Sequence, residues 1–245
     1  MFPLRAVHKP KRAPWITRLL IAVNVLVFVA QLMPGVWGED WRHWAMQMAV
    51  QPNCYLAPAG CGIELPRESE LLWKPLFTSL FLHADWLHLG FNMLFLSVFG
   101  AGVEDKLGKL NFLAFYLVCG IGASLFFVAT HPFSHVALIG ASGAISGVLG
   151  AYLVLQTRSW ILTYLPPVFL FPVPAPLFLI VWILMQFASQ FSASWNALSW
   201  NRVLDVPGAS QNNVAWIAHI AGFFIGAFWG WKIKPWWKRQ VKSQK

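Results

Sequence analysis

Apolar runs about long enough to cross a bilayer recur along this chain, and that recurrence leaves few folds open. A helix needs about 20 apolar residues to traverse roughly 30 Å of hydrocarbon. Within lipid, only helices and closed barrels satisfy all of their backbone polar groups. The runs occupy residues 15–33, 86–102, 110–129, 140–155, 176–191 and 214–231. The expected fold is therefore an all-α membrane protein, a six-transmembrane-helix bundle without a separate soluble domain. Composition agrees, since 11% charged and 58% hydrophobic residues fall far from the roughly 25% charged of soluble domains.

The net charge of +9 raises nucleic acid as a partner, but the basic residues sit at the termini and in short connections, as topology signals do. No nucleic-acid partner is expected; the lipid bilayer is. Six crossings put both ends on one side. That side would hold fourteen of the eighteen Lys and Arg residues, leaving Arg42, Arg67, Lys74 and Arg202 opposite. The positive-inside rule then makes both termini cytoplasmic. The expected organisation is a basic segment 1–14, a membrane domain 15–231 and a basic tail 232–245. A retained first helix is expected rather than a removed signal peptide, because no small-residue cleavage site follows the first run. The membrane expected is a bacterial plasma (inner) membrane.

Between the first two helices lies a long polar and aromatic stretch with Trp37, Trp41 and Trp44, suited to segments lying in the interface. Cys54 and Cys61 share that stretch and can form a disulfide if it faces an oxidising compartment, while Cys119 stands alone in an apolar run. Residues 164–176 hold five prolines, so regular helix is not expected before Pro176.

With this topology the second, fourth and sixth helices all run inward, so their early residues lie at similar depth. The early polar residues are His88 and Asn92, spaced i and i+4 and hence on one face, then Ser142, then His219. Each alone has a plain structural role open to it: a capping or backbone-bonded serine, an amide joining helices, a satisfied core histidine. Four such groups converging at one depth are harder to explain that way, because polar groups inside a membrane are costly and usually face a cavity. Ala218, Gly222, Gly226 and Gly230 form a small-residue stripe that can press against Gly140, Gly143, Gly147 and Ala151. That pairing would bring His219 close to the helix of Ser142.

All nine carboxylates fall in loops or at helix ends. An aspartyl protease or carboxylate-driven transporter would lack its working groups, and no acid is available to complete a three-member serine site. No HExxH occurs, and His83 and His88, five apart, would point about 140° apart on a helix and share a metal poorly. A serine and histidine dyad is the chemistry that remains, with no metal and no cofactor.

The chain resembles the rhomboid intramembrane serine proteases from the first helix to the sixth. The carrying motifs are His88-Leu-Gly-Phe-Asn92, Gly140-Ala-Ser142-Gly143 and Ala218-His219-Ile-Ala-Gly222-Phe-Phe-Ile-Gly226, supported by Trp73-Lys74, His83 and the Gly100 to Glu104 exit. The resemblance implies a rhomboid-like fold in which Ser142 is nucleophile and His219 general base. It also implies that the Asn92 amide, the His88 ring and the Ser142 backbone N–H bind the oxyanion, and that the substrates are transmembrane proteins. The fifth helix and residues 192–213 are then candidates for gate and lid. In two places the chain departs from the family: Lys74 stands where arginine is usual, and Ser146 where some members have a tyrosine packed on the histidine. A non-proteolytic adaptor of the same fold, binding membrane helices without cutting them, is the competing reading.

Overall fold

The computed structural model describes residues 2–7, 10–33, 41–56, 73–165, 169–198 and 216–243. The fold is mostly helical. In chain order it runs β1 (Phe2–Ala6), α1 (Trp15–Leu32), α2 (Trp41–Met48), α3 (Pro52–Leu56), α4 (Trp73–Thr78), α5 (Trp86–Phe95), α6 (Ala101–Leu107), α7 (Lys109–Thr130), α8 (Ser142–Leu155), β2 (Trp160–Leu165), β3 (Phe169–Pro174), α9 (Ala175–Leu198) and α10 (Trp216–Ser243). A π turn, Leu96–Gly100, joins α5 to α6 into one continuous span.

Among the described residues, four helices are long and apolar enough to cross a membrane: Trp15–Leu32, Trp86–Leu107, Lys109–Thr130 and Ala175–Ser192. The apolar α8 has only 14 residues. α1 shows the polarity expected in lipid. Thr17, Asn24 and Gln31 share its buried face with Leu20 and Phe28, while Leu19, Leu26 and Leu32 are exposed. Two amides on this buried face are hydrogen-bonded. Asn24 donates to the Leu20 carbonyl (2.7 Å), and the Gln31 amide makes both backbone hydrogen bonds of His83.

At the centre, α8 lies between α7 and α10, and the glycine stripes set their spacing. A Cβ added at Gly226 would land on the Gly147 carbonyl oxygen, and one at Gly222 on that of Gly143. On the other side of α8, a Cβ at Gly143 would come within 2.9 Å of the Ala123 Cβ. Backbones this close are what small residues permit in membrane helices.

The structure departs from the sequence reading in three places. Residues 160–165 and 169–174 pair as antiparallel strands, β2 with β3, and β1 joins them in the order β1-β2-β3. The prolines allow this because Pro3, Pro172 and Pro174 all sit on edge strands, whereas the central strand, WILTYL, has none and is rich in β-branched and aromatic residues. The second span ends at Leu107 rather than 102. Glu104, expected at a helix end, is only 4% exposed. Its carboxylate accepts from the backbone N–H groups of Ile16 (3.0 Å) and Thr17 (2.8 Å) and from the Thr17 hydroxyl (2.8 Å). An acid capping the positive end of α1 explains why it tolerates burial.

Cys54 is disulfide-bonded and Cys119 is free; Cys61 and most of the 192–213 connection lie outside the described residues.

Candidate active site

α8 opens at Ser142, directly after Gly140, whose φ of +114° suits glycine alone. Glycine is required there for a second reason: an added Cβ would lie 2.7 Å from the His88 imidazole. The Gly140 N–H donates to the Ser79 carbonyl (2.8 Å), and Val50 and Leu138 exchange backbone hydrogen bonds. The chain is thereby pinned just before the serine. As the first helical residue, Ser142 presents its N–H at a helix N-terminus, where backbone donors lack intrahelical partners.

The other predicted residues come from two further helices. Asp85 caps α5 by accepting from the His88 N–H (2.8 Å), which orients the helix bearing His88 and Asn92. The Asn92 amide donates one hydrogen bond to the His88 carbonyl (3.1 Å), leaving its second N–H for the cavity. The Gly222 and Gly226 contacts seat α10 against α8, bringing the His219 Nε2 to 2.8 Å from the Ser142 Oγ. Ser142, His219, His88 and Asn92 all line one cavity of about 620 Å³.

Sequence reasoning missed the other side of the imidazole. His219 Nδ1 lies 2.9 Å from the Oε1 of Gln186 on α9, and the Gln186 Nε2 donates to the Trp182 carbonyl (3.4 Å). Gln186 is buried. Trp216 meets the His219 ring edge-on at 5.8 Å, and Trp182 lies tilted at 6.4 Å. The third member is not an acid but a neutral amide in an apolar helix, which no charge marks in the sequence. Ser146, at the position of the tyrosine found in some rhomboids, instead donates to the Ser142 carbonyl (2.7 Å).

His83 precedes α5, which the Asp85 cap starts at Trp86, and its ring meets that of His88 at 5.1 Å. His83 is 1% exposed, and neither ring nitrogen has a hydrogen-bond partner. Burial, helped by the neighbouring His88, lowers its pKa to about 3. Among the described residues no three His, Cys, Asp or Glu side chains gather where they could hold a metal ion. The long first connection, without an arginine at Lys74, is tied by the Thr78 hydroxyl, which donates to the Met48 carbonyl (2.8 Å).

This is a helical membrane protein with a serine and an imidazole in contact inside one cavity. Residues 70–236, more than half of the chain, match the Rhomboid domain family, and the chain belongs to the rhomboid family. It is 28% identical over 218 residues to Rhomboid protein 1, mitochondrial, of Saccharomyces cerevisiae, covering 87% of this chain and 52% of that protein. It is 32% identical over 166 residues to Rhomboid-like protein 11, chloroplastic, of Arabidopsis thaliana, covering 65% and 52%. To Rhomboid protease GluP of Bacillus subtilis it is 33% identical over 151 residues, covering 61% and 26%. The chain thus spans about half the length of the first two relatives and a quarter of the third. The apolar helices make this a membrane protein, but relatives named as mitochondrial and chloroplastic do not support the expected bacterial inner membrane.

Proposed function

We propose that this protein is an intramembrane serine endopeptidase that hydrolyses peptide bonds in or near the transmembrane helices of membrane proteins. One observation carries the reading: the 2.8 Å contact between Ser142 Oγ and His219 Nε2 in a cavity shared with His88 and Asn92. Family membership and a relative named as a protease support it.

In this mechanism His219 Nε2 takes the Ser142 hydroxyl proton as the oxygen attacks the substrate carbonyl carbon. The oxyanion is met by the Ser142 backbone N–H at the start of α8, the Asn92 amide and the His88 ring, donors preorganised in a site of low dielectric. Collapse breaks the C–N bond, and the imidazolium returns its proton to the departing amine. Water, deprotonated by the same imidazole, then releases the acyl group from Ser142. For Nε2 to accept, the proton must sit on Nδ1, and Gln186 Oε1 holds it there. Gln186 is a positioning residue, acting through His219.

The same reading takes α8 and α10 as spans beside the four helices named above as long and apolar enough to cross, six in all, within a membrane domain of residues 15–231 flanked by basic segments 1–14 and 232–245. Both termini are cytoplasmic, so the substrate is cut near the outer end of its helix. α9, which carries Gln186, is the substrate gate.

The test incubates the purified protein in liposomes with a generic single-span substrate, beside Ser142→Ala and His219→Ala. Cleavage by the wild type alone, with a fluorophosphonate label on Ser142, is expected. Cleavage surviving in Ser142→Ala removes the nucleophile from this account, and helix binding without cleavage by any form leaves the adaptor reading.

A further inference from the structure

Away from the dyad, the fold gathers positive charge around a second cavity. The face concerned lies at the opposite end of α8, whose 14 residues rise about 21 Å. Here a cavity of about 830 Å³ is lined by Arg5, Lys11, Lys106, Arg158 and Lys234, with Asp105 as the one carboxylate among the described residues of its lining. These five cations come from five separate segments: β1, the β1–α1 connection, α6, the α8–β2 turn and α10. Asp105 is already engaged, accepting from the Arg12 backbone N–H (3.1 Å). The lining therefore carries an excess of four positive charges, with Arg5, Lys11 and Arg158 exposed, and clustered charge of one sign attracts anions.

The walls are built by the fold. Arg5 is carried on a strand paired with β2, and the Val7 N–H closes onto the Trp160 carbonyl (2.8 Å). The turn bearing Arg158 is tied down on both sides, by the Gln156 amide donating to the Gly102 carbonyl (3.1 Å) and by the Tyr152 and Ser159 hydroxyls (2.8 Å).

The rest of the lining indicates what kind of anion fits. From the basic rim the cavity continues along Leu4, Val98, Ala101 and Leu155, an apolar wall unsuited to a freely hydrated ion. It also reaches Ser97, an exposed residue in the middle of the span Trp86–Leu107, and Leu4, which is 44% exposed. The cavity therefore opens sideways at membrane depth. A molecule with an anionic head and an apolar tail matches both ends.

We propose that this cavity is a binding site for an anionic phospholipid, with its phosphodiester held by Arg5, Lys11, Lys106, Arg158 and Lys234 and the start of an acyl chain lying against Leu4, Val98 and Ala101. Basic pockets between membrane helices are suited to such head groups, and each cation near an anionic lipid surface contributes about fivefold in affinity. The site does not depend on the proteolytic reading, since neither Ser142 nor His219 lines it.

The test uses the full chain in nanodiscs of phosphatidylcholine doped with phosphatidylglycerol, counting retained lipid by native mass spectrometry. One equivalent of phosphatidylglycerol per chain is expected to survive transfer to neutral detergent. Arg5→Gln with Arg158→Gln should weaken retention about 25-fold, Arg5→Lys with Arg158→Lys should restore most of it, and thermal melts confirm that both variants are folded. Arg18→Gln with Lys109→Gln removes the same charge outside the cavity and should leave retention unchanged. Equal loss in that control means diffuse surface attraction and overturns the site. Complete displacement by millimolar inorganic phosphate makes it a free-anion site and overturns the lipid assignment.

Discussion

Gln186 on α9 holds the Nδ1 of His219 on α10 at 2.9 Å, on the side of the imidazole opposite Ser142. The ring is thus clamped between two helices, and the clamp on the α9 side is neutral. A shift of α9 breaks that contact, so the position of the proposed gate bears directly on the orientation of the base.

Replacing Gln186 with leucine keeps the volume and removes the acceptor, stranding the Nδ1 proton. The expected loss is roughly tenfold to a hundredfold in kcat with KM little changed, because the hydrogen bond removed is the one to the His219 ring. Gln186→Glu retains an acceptor oxygen and should recover much of the rate. Equal losses in both variants, or a change confined to KM, would reduce Gln186 to packing.

Gly226→Ala should be severe, since the added methyl falls on the Gly147 carbonyl oxygen. Overpacking of this kind costs about 1–3 kcal/mol and pushes α10 away from α8, lengthening the Ser142–His219 contact. Thermal melts and fluorophosphonate labelling should both decline. Gly90→Ala, with nothing within 4 Å of the new Cβ, should leave the packing intact and gain up to about 1 kcal/mol of helix propensity.

Glu104→Gln tests the cap on α1. Three donors converge on this carboxylate, and charge-assisted bonds to buried donors are worth about 1.5–3 kcal/mol each. With an oxygen still present to accept, a net loss of about 2 kcal/mol is expected, lowering the apparent Tm by about 4–8 °C. An unchanged melting temperature would show that the negative charge contributes nothing at that helix end.

His83 ties stability to pH. Its pKa is lowered to about 3 in the folded protein, first by burial and then by His88, against about 6.5 when unfolded. Between these values the unfolded chain binds the proton and the folded chain does not, so stability rises with pH. This residue should therefore cost about 1.4 kcal/mol for each pH unit below 6.5. Melts across pH 4.5–7 should show His83→Phe losing about one proton's worth of that slope relative to wild type.

The sequence alone determined what depends on spacing within one helix or on composition: four of the apolar spans, the shared face of His88 and Asn92, and the small-residue stripes around Ser142 and His219. Those periodicities are local, and lipid imposes them on any chain that spans it. Tertiary structure decided everything that required two distant segments to meet. The pairing of β1 with a hairpin more than 150 residues away depends on which strands become edges, which no local pattern records. Glu104 reads only as a helix-end carboxylate until α1 delivers three donors to it. The partner of His219 could not be read from the sequence because an amide in an apolar helix carries no charge to mark it, and only the packing of α9 against α10 puts its oxygen within hydrogen-bonding reach of the ring.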